Sequence, residues 1–204
     1  TRVQEILDGA SDALAPSVRS LHDLYKVLLA ARGRRGAVDF DGQEVRFVLD
    51  EAGAITDIVP VYRNDAHRLI EECMLCANVC AAQLVAGEGP AALYRVHDTP
   101  DAERVESLRV FLAGFGITLG GDALPRPGDY AAAALALRGR KNGRVLQLAL
   151  LRSMQQAVYQ PENRGHFGLN YPAYTHFTSP IRRYPDLMTH RYIKAAIYGS
   201  APNP

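Results

Sequence analysis

The sequence predicts an α+β domain in which helices pack on a mixed or antiparallel sheet. Three observations predict it. Apolar residues recur with helical spacing along most of the chain; two β-rich runs flank a glycine turn; and 48% of the 204 residues are apolar, enough to bury one core.

The chain opens on a polar, weakly patterned stretch running to Pro16. From Ser17 the pattern turns helical. Val18, Leu21, Leu24, Tyr25 and Leu28 recur at three- and four-residue steps, with Ser17 placed to cap a helix over 17–32 and Gly33 placed to stop it. The runs 44–49 and 54–61 are joined through Asp50-Glu51-Ala52-Gly53 and read as a hairpin, Gly53 supplying the turn. Residues 64–86 form a long helix, opened by Asn64 as a cap and closed by Gly87. Residues 92–96 read as a short strand. Helices follow at about 100–114, where Pro100 suits a first turn, and at 128–138, 144–159 and 183–198. Between the last two, from Gln160 to Pro180, lies a stretch rich in aromatics, glycine and proline. Loops carrying so many large side chains tend to carry function. With no internal repeat or low-complexity segment, one domain is the simplest division.

The formal charge is +1, from 23 basic and 22 acidic residues, so no global field marks a nucleic-acid binder. Any such role must rest on local clusters. No run approaches the ~20 consecutive apolar residues of a membrane span, and the N-terminus lacks a secretory core. Cys73, Cys76 and Cys80 are an odd number crowded together, which suits a reducing cytoplasm better than a disulfide framework. The polar opening without an initiator methionine suggests a piece of something larger.

Three constellations could carry chemistry. The cysteines invite a metal reading, but with Leu69 and Leu84 they fall on one helix face, where cysteine packs as a small hydrophobe. A structural zinc site also wants a fourth ligand, which no other cysteine supplies. Glu71-Glu72 sits in a helix with almost no polar face. Desolvating a lone carboxylate costs several kcal/mol, so the pair either bridges to an arginine of the same domain or lines a cleft. The third constellation runs from His166 to Leu187. One acid, Asp186, faces Arg182, Arg183 and, just beyond, Arg191 and Lys194, interleaved with aromatics and with His176 and His190. Hydroxyls and arginines ahead of a helix start suit phosphate oxygens, which meet oriented N–H groups and a planar guanidinium fork. The alternative is an arginine-rich loop pinned to acidic neighbours.

The segment His176-Phe177-Thr178-Ser179-Pro180-Ile181-Arg182-Arg183-Tyr184-Pro185-Asp186-Leu187 resembles the signature of the ribonuclease R / ribonuclease II (RNB) family. Asn64 to Met74, Tyr94 to Asp98 and Pro161 to Leu169 resemble it too, ribonuclease R more closely than ribonuclease II, so the likeness covers about residues 20–198. The resemblance implies a magnesium-dependent, processive hydrolase that threads single-stranded RNA into a channel and releases nucleoside 5′-monophosphates from the 3′ end. Carried over, Arg182 is the catalytic residue at the scissile phosphate. Glu72, favoured over Glu71 by motif position, and Phe40 would hold the terminal nucleotides, although Phe40 reads equally as a core residue. Tyr174, His176, Thr178, Ser179 and Arg183 are the further expected RNA contacts, by stacking and phosphate grip.

One departure stands out. The family's magnesium sits on aspartates of an upstream motif, and no such cluster occurs here; Asp39 and Asp41 are two acids two apart, which do not make a two-metal site. A second aromatic of the base clamp, the cold-shock-like domains expected before and the S1 domain expected after are also absent. The expectation is therefore a partial RNB catalytic domain over 1–198, a linker at 199–204, magnesium ligands upstream, and sheet edge and apolar surface left exposed. From another class, a catalytically inactive RNA-binding or scaffold protein on an RNB remnant would carry the same residues. Without the resemblance, a cysteine-ligated metal-sensing helical domain is the rival.

Overall fold

The computed structural model describes residues 1–40, 44–61, 63–86 and 93–199. In chain order its elements are α1 (Arg2–Leu7), α2 (Ala15–Arg35), β1 (Glu44–Leu49), β2 (Ile55–Val61), α3 (Asp65–Ala86), β3 (Tyr94–Val96), α4 (Ala102–Ala113), α5 (Pro127–Ala136), α6 (Gly143–Ser153), β4 (Val158–Gln160) and α7 (Tyr184–Tyr198). The strands form two antiparallel ribbons, β1–β2 and β3–β4. The class is α+β, as the sequence predicts.

Several local choices follow the sequence. Asn64 Oδ1 accepts from the His67 N–H at 3.1 Å and so caps α3. Gly53 takes φ +81° in the hairpin turn, a conformation that favours glycine. The expected closure of α3 at Gly87 lies outside the described residues.

Other boundaries move. The polar opening contains α1, held because Ile6 is buried against Ala15 and Val18. Ser17 does not cap α2; the helix begins two residues earlier, with Pro16 in its first turn. Gly33 is passed through, and the helix ends at Gly36 with φ +73°. A Cβ there would meet Gly128 Cα at 3.1 Å, so both conformation and space call for glycine. Pro100 stays in the connection before α4. The helix expected over 144–159 stops at Ser153, because residues 158–160 pair with β3: Tyr94 with Gln160, Arg95 with Tyr159, Val96 with Val158. Valine and tyrosine favour such pairing.

The main core lies among α4, α5 and α6, where Val105, Leu108, Leu112, Tyr130, Leu137, Leu146 and Leu150 meet Val38 and Phe167. A second cluster joins Val85 of α3 to Tyr94 and Val96 of β3, with Tyr192 and Ile193 of α7 packed against it. α3 packs chiefly on α2 and α7 and meets β3 near its end.

The cysteine face is also corrected. α3 turns Leu69, Glu72, Leu75, Asn78, Ala82 and Val85 inward, leaving Cys73 half-buried and Cys76 and Cys80 exposed. Helical period allowed more than one inward stripe, and polar partners decided it. By length and composition α3 could cross a membrane, yet its Glu72 and Asn78 are hydrogen-bonded within the fold. In the β1–β2 hairpin, Val45 faces Pro60 and Phe47 faces Ile58; Val45, Phe47 and Ile58 are exposed. The apolar surface anticipated from the sequence is therefore present.

Candidate RNA-contact site

The loop 174–183 is held from three sides. From α3, the buried Asn78 amide donates to the Tyr174 hydroxyl at 2.9 Å and accepts from the Phe177 and Thr178 N–H groups at 2.9 and 3.3 Å. From β3, the Arg95 N–H donates to the Tyr174 carbonyl at 2.8 Å. From α7, Asp186 Oδ1 accepts from the Ser179 N–H and from Arg183 Nη2, both at 2.8 Å. Asp186 is 0% exposed, so its charge is compensated by those two bonds.

The two arginines of the motif are thereby separated in role. Arg183 is spent on Asp186. Arg182, one residue earlier, is exposed, and among the described residues its guanidinium enters no ion pair. Among the described residues Thr178 Oγ1, Arg183 Nε and Asp186 Oδ2 are buried without a hydrogen-bond partner. Orphaned polar atoms are uncommon in folded proteins, and three between this loop and the helix behind it single the region out.

Aromatic rings line the approach. Tyr171 lies parallel to Tyr174, centroids 6.2 Å apart, and the Arg35 guanidinium sits 3.8 Å above Tyr171, within cation–π range. Tyr174 is 5% exposed, so it forms the floor rather than an open stacking surface. His176 Nδ1 lies 2.6 Å from the Tyr159 hydroxyl, which in turn sits under Arg95. Burial first, then the nearby Arg183 charge, lowers the His176 pKa to about 4; burial and His97 lower that of His166 to about 3. Both imidazoles are neutral at neutral pH. The unfolded chain binds these protons near pH 6.5 and the native state does not. Stability is therefore fully present above that pH and falls as pH drops toward about 4. Denaturant midpoints should decrease across this window, and less so in a His166→Asn variant; an unchanged pH slope would show His166 to be solvated.

Glu71 and Glu72 realise the ion-pair alternative. Arg32 Nη1 donates to Glu72 at 2.8 Å and to Glu71 at 3.2 Å, while Arg32 Nη2 lies 3.4 Å from Asp39, which also meets Arg138 at 3.1 Å. Arg63 bridges to Glu71. Burial raises the Tyr171 phenol pKa, an effect that the Arg35 charge offsets and the Glu72 charge adds to. Phe40 belongs to the rim of the main core, so its core reading is realised. Asp41 lies outside the described residues.

These donors do not fit a magnesium ion. Among the described residues no group of three histidines, cysteines or acids could hold a metal ion. Asp39, Glu71, Glu72 and Asp186 are each engaged by arginine.

The RNB domain family model matches residues 1–199. The chain belongs to the RNB domain family. Ribonuclease R of Vibrio cholerae serotype O1 is 48% identical over 203 residues, which are 97% of this chain and 25% of that protein. Mycoplasma genitalium RNase R in complex with double-stranded RNA superposes with a TM-score of 0.90 at 28% identity, over 97% of this chain and 36% of that one. The same enzyme in complex with ribose methylated single-stranded RNA gives 0.87 at 27% identity, over 93% and 30%. This RNB chain thus spans about a quarter of the length of the curated relatives it matches.

Of the expected site residues, the RNB fold brings Tyr174, His176, Thr178, Ser179, Arg182 and Arg183 into one loop, pairs Glu72 with Arg32, and leaves Phe40 on the main core. Sequence reasoning missed Asn78, Arg32, Arg35 and Tyr159. For Asn78 the one available signal was an amide inside the otherwise apolar run 73–82 of α3, where an unpaired polar group would be costly.

Proposed function

We propose that this chain is the phosphate-gripping part of the catalytic domain of a cytoplasmic, magnesium-dependent, processive 3′-to-5′ exoribonuclease acting on single-stranded RNA. In this reading residues 1–198 are a partial RNB catalytic domain and 199–204 lead toward an S1 domain. The magnesium ligands are supplied from outside the chain, a view supported by the engaged acids around the motif and by its quarter-length coverage of ribonuclease R relatives.

The observation that carries the reading is the contrast between Arg183, consumed by a buried carboxylate, and Arg182, exposed and unpaired among the described residues. An unspent guanidinium on a rigidly anchored loop is placed to neutralise charge developing on a phosphoryl oxygen. His176, neutral and hydrogen-bonded to Tyr159, adds a polar contact without adding charge. The Tyr171–Arg35 stack offers a flat, cationic surface of the kind on which single strands lie. Glu72 and Phe40 are assigned to holding the terminal nucleotides.

End-labelled oligoribonucleotide, incubated with magnesium, tests this directly. The parent protein should release mononucleotides, and the 204-residue chain should release none. A parent that binds RNA without cleaving it would replace this reading with the scaffold one; cleavage by the chain alone would put the metal ligands within it. In the parent, Glu72→Ala and Phe40→Ala should leave longer residual oligonucleotides on a denaturing gel, because the terminal phosphate is then less firmly held. Unchanged end products would leave both residues with their packing roles only.

A further inference from the structure

We infer that Asn78 is a positioning residue for Arg182, a buried amide on α3 that sets the loop carrying the guanidinium. The inference rests on the reading of Arg182 given above. Asn78 is 3% exposed and uses three of its four hydrogen-bonding positions on that loop: one donor on the Tyr174 hydroxyl and both acceptor positions on the Phe177 and Thr178 N–H groups.

The consequence follows from how short the free stretch is. Asn78 grips the backbone at Thr178, and Asp186 grips it again at the Ser179 N–H. The Arg182 and Arg183 N–H groups both turn back to the Ser179 carbonyl, at 3.2 and 3.0 Å, closing a tight turn that ends on Arg182. Pro180 restricts the backbone within it. The stretch from Phe177 to Arg182 is therefore placed from α3 by Asn78 and from α7 by Asp186 and by His190, whose Nε2 lies 2.9 Å from the Phe177 carbonyl. Among the described residues Asn78 makes the hydrogen bonds from α3 to this loop, and α3 also bears Glu72, so the same amide sets the Arg182 loop relative to that carboxylate.

In the parent enzyme, Asn78→Ala should lower single-turnover hydrolysis of single-stranded RNA by about 10- to 100-fold, the scale expected for a displacement of about 1 Å at a reacting centre. RNA affinity should stay within about threefold, since one channel contact among many contributes modestly. Asn78→Asp keeps both acceptors for the Phe177 and Thr178 N–H groups and lets the Tyr174 hydroxyl donate, so it should recover most of the lost rate. The decisive readout is a double-mutant cycle: if Asn78 acts through Arg182, Asn78→Ala costs no further rate in an Arg182→Ala background. All variants are compared at a temperature where circular dichroism shows each fully folded.

Full additivity in the cycle, or a loss of affinity equal to the loss of rate, would overturn the proposal while leaving the Arg182 reading standing. An unchanged rate in Arg182→Ala itself would remove that reading, and the proposal with it.

Discussion

Under the proposed exoribonuclease function, Arg182→Ala in the parent protein is expected to lower the single-turnover rate of RNA hydrolysis by about 10²–10³-fold, with single-strand affinity held within a few-fold. The rate estimate is that for removing one preorganised donor from a site where charge develops in the transition state. The small effect on affinity follows because ground-state binding is shared among many phosphate and stacking contacts. Arg182 is suited to this role because it stands outside the ion pairs among the described residues, exposed on a loop anchored by Asn78 and Asp186. Arg182→Lys should recover only part of the rate, since a compact ammonium cannot reproduce a planar two-bond grip on phosphate. Rapid-quench hydrolysis beside filter binding separates the two quantities. Equal losses of rate and affinity would make Arg182 a binding residue and move the chemistry elsewhere.

Arg32→Met carries the largest expected effect on stability, a loss of about 3–5 kcal/mol, because it leaves a buried carboxylate without its cation. Glu72 is 4% exposed, and its carboxylate accepts from Arg32 at 2.8 Å. Asp39 and Glu71 lose the same partner. A second substitution, Glu72→Gln, in the Arg32→Met background should return most of that loss, since removing both members of a buried pair is often nearly neutral. Denaturant midpoints of the single and double variants measure the coupling. A single-variant loss below about 1 kcal/mol would mean that Glu72 is well solvated, and therefore open to a channel rather than locked in a salt bridge.

How much of this was legible in the sequence depended on distance along the chain. The Asn64 cap, the Gly53 turn and the helix after Arg183 are local events, decided within a few residues, and they fall where the pattern places them. The motif loop was legible for the same reason, its residues being contiguous. The resemblance singled out Arg182, but its chemistry alone could not tell it from Arg183; the physical distinction arises because only Arg183 folds back on Asp186. Likewise, apolar periodicity in α3 could not choose between a stripe bearing the cysteines and one bearing Glu72 and Asn78. That choice was made by Arg32, 40 residues away, and by Tyr174, 96 residues away. β4 escaped notice because a three-residue strand has no signature apart from its partner.

That pairing also bears on the order in which the molecule assembles. β3 and β4 are separated in sequence by the whole of α4, α5 and α6, so their ladder closes a long loop, with an entropic cost met before its contacts are gained. The intervening helices supply most of the main core, which Val38 and Phe167 complete, and helical contacts within that stretch should form early. Arg95 lies on this ladder and donates to the Tyr174 carbonyl, so the loop bearing Arg182 takes its final shape only after the helical module has brought the two strands together. Refolding should therefore proceed with helical signal first and RNA-contact geometry last, the site being among the latest parts of the chain to become native.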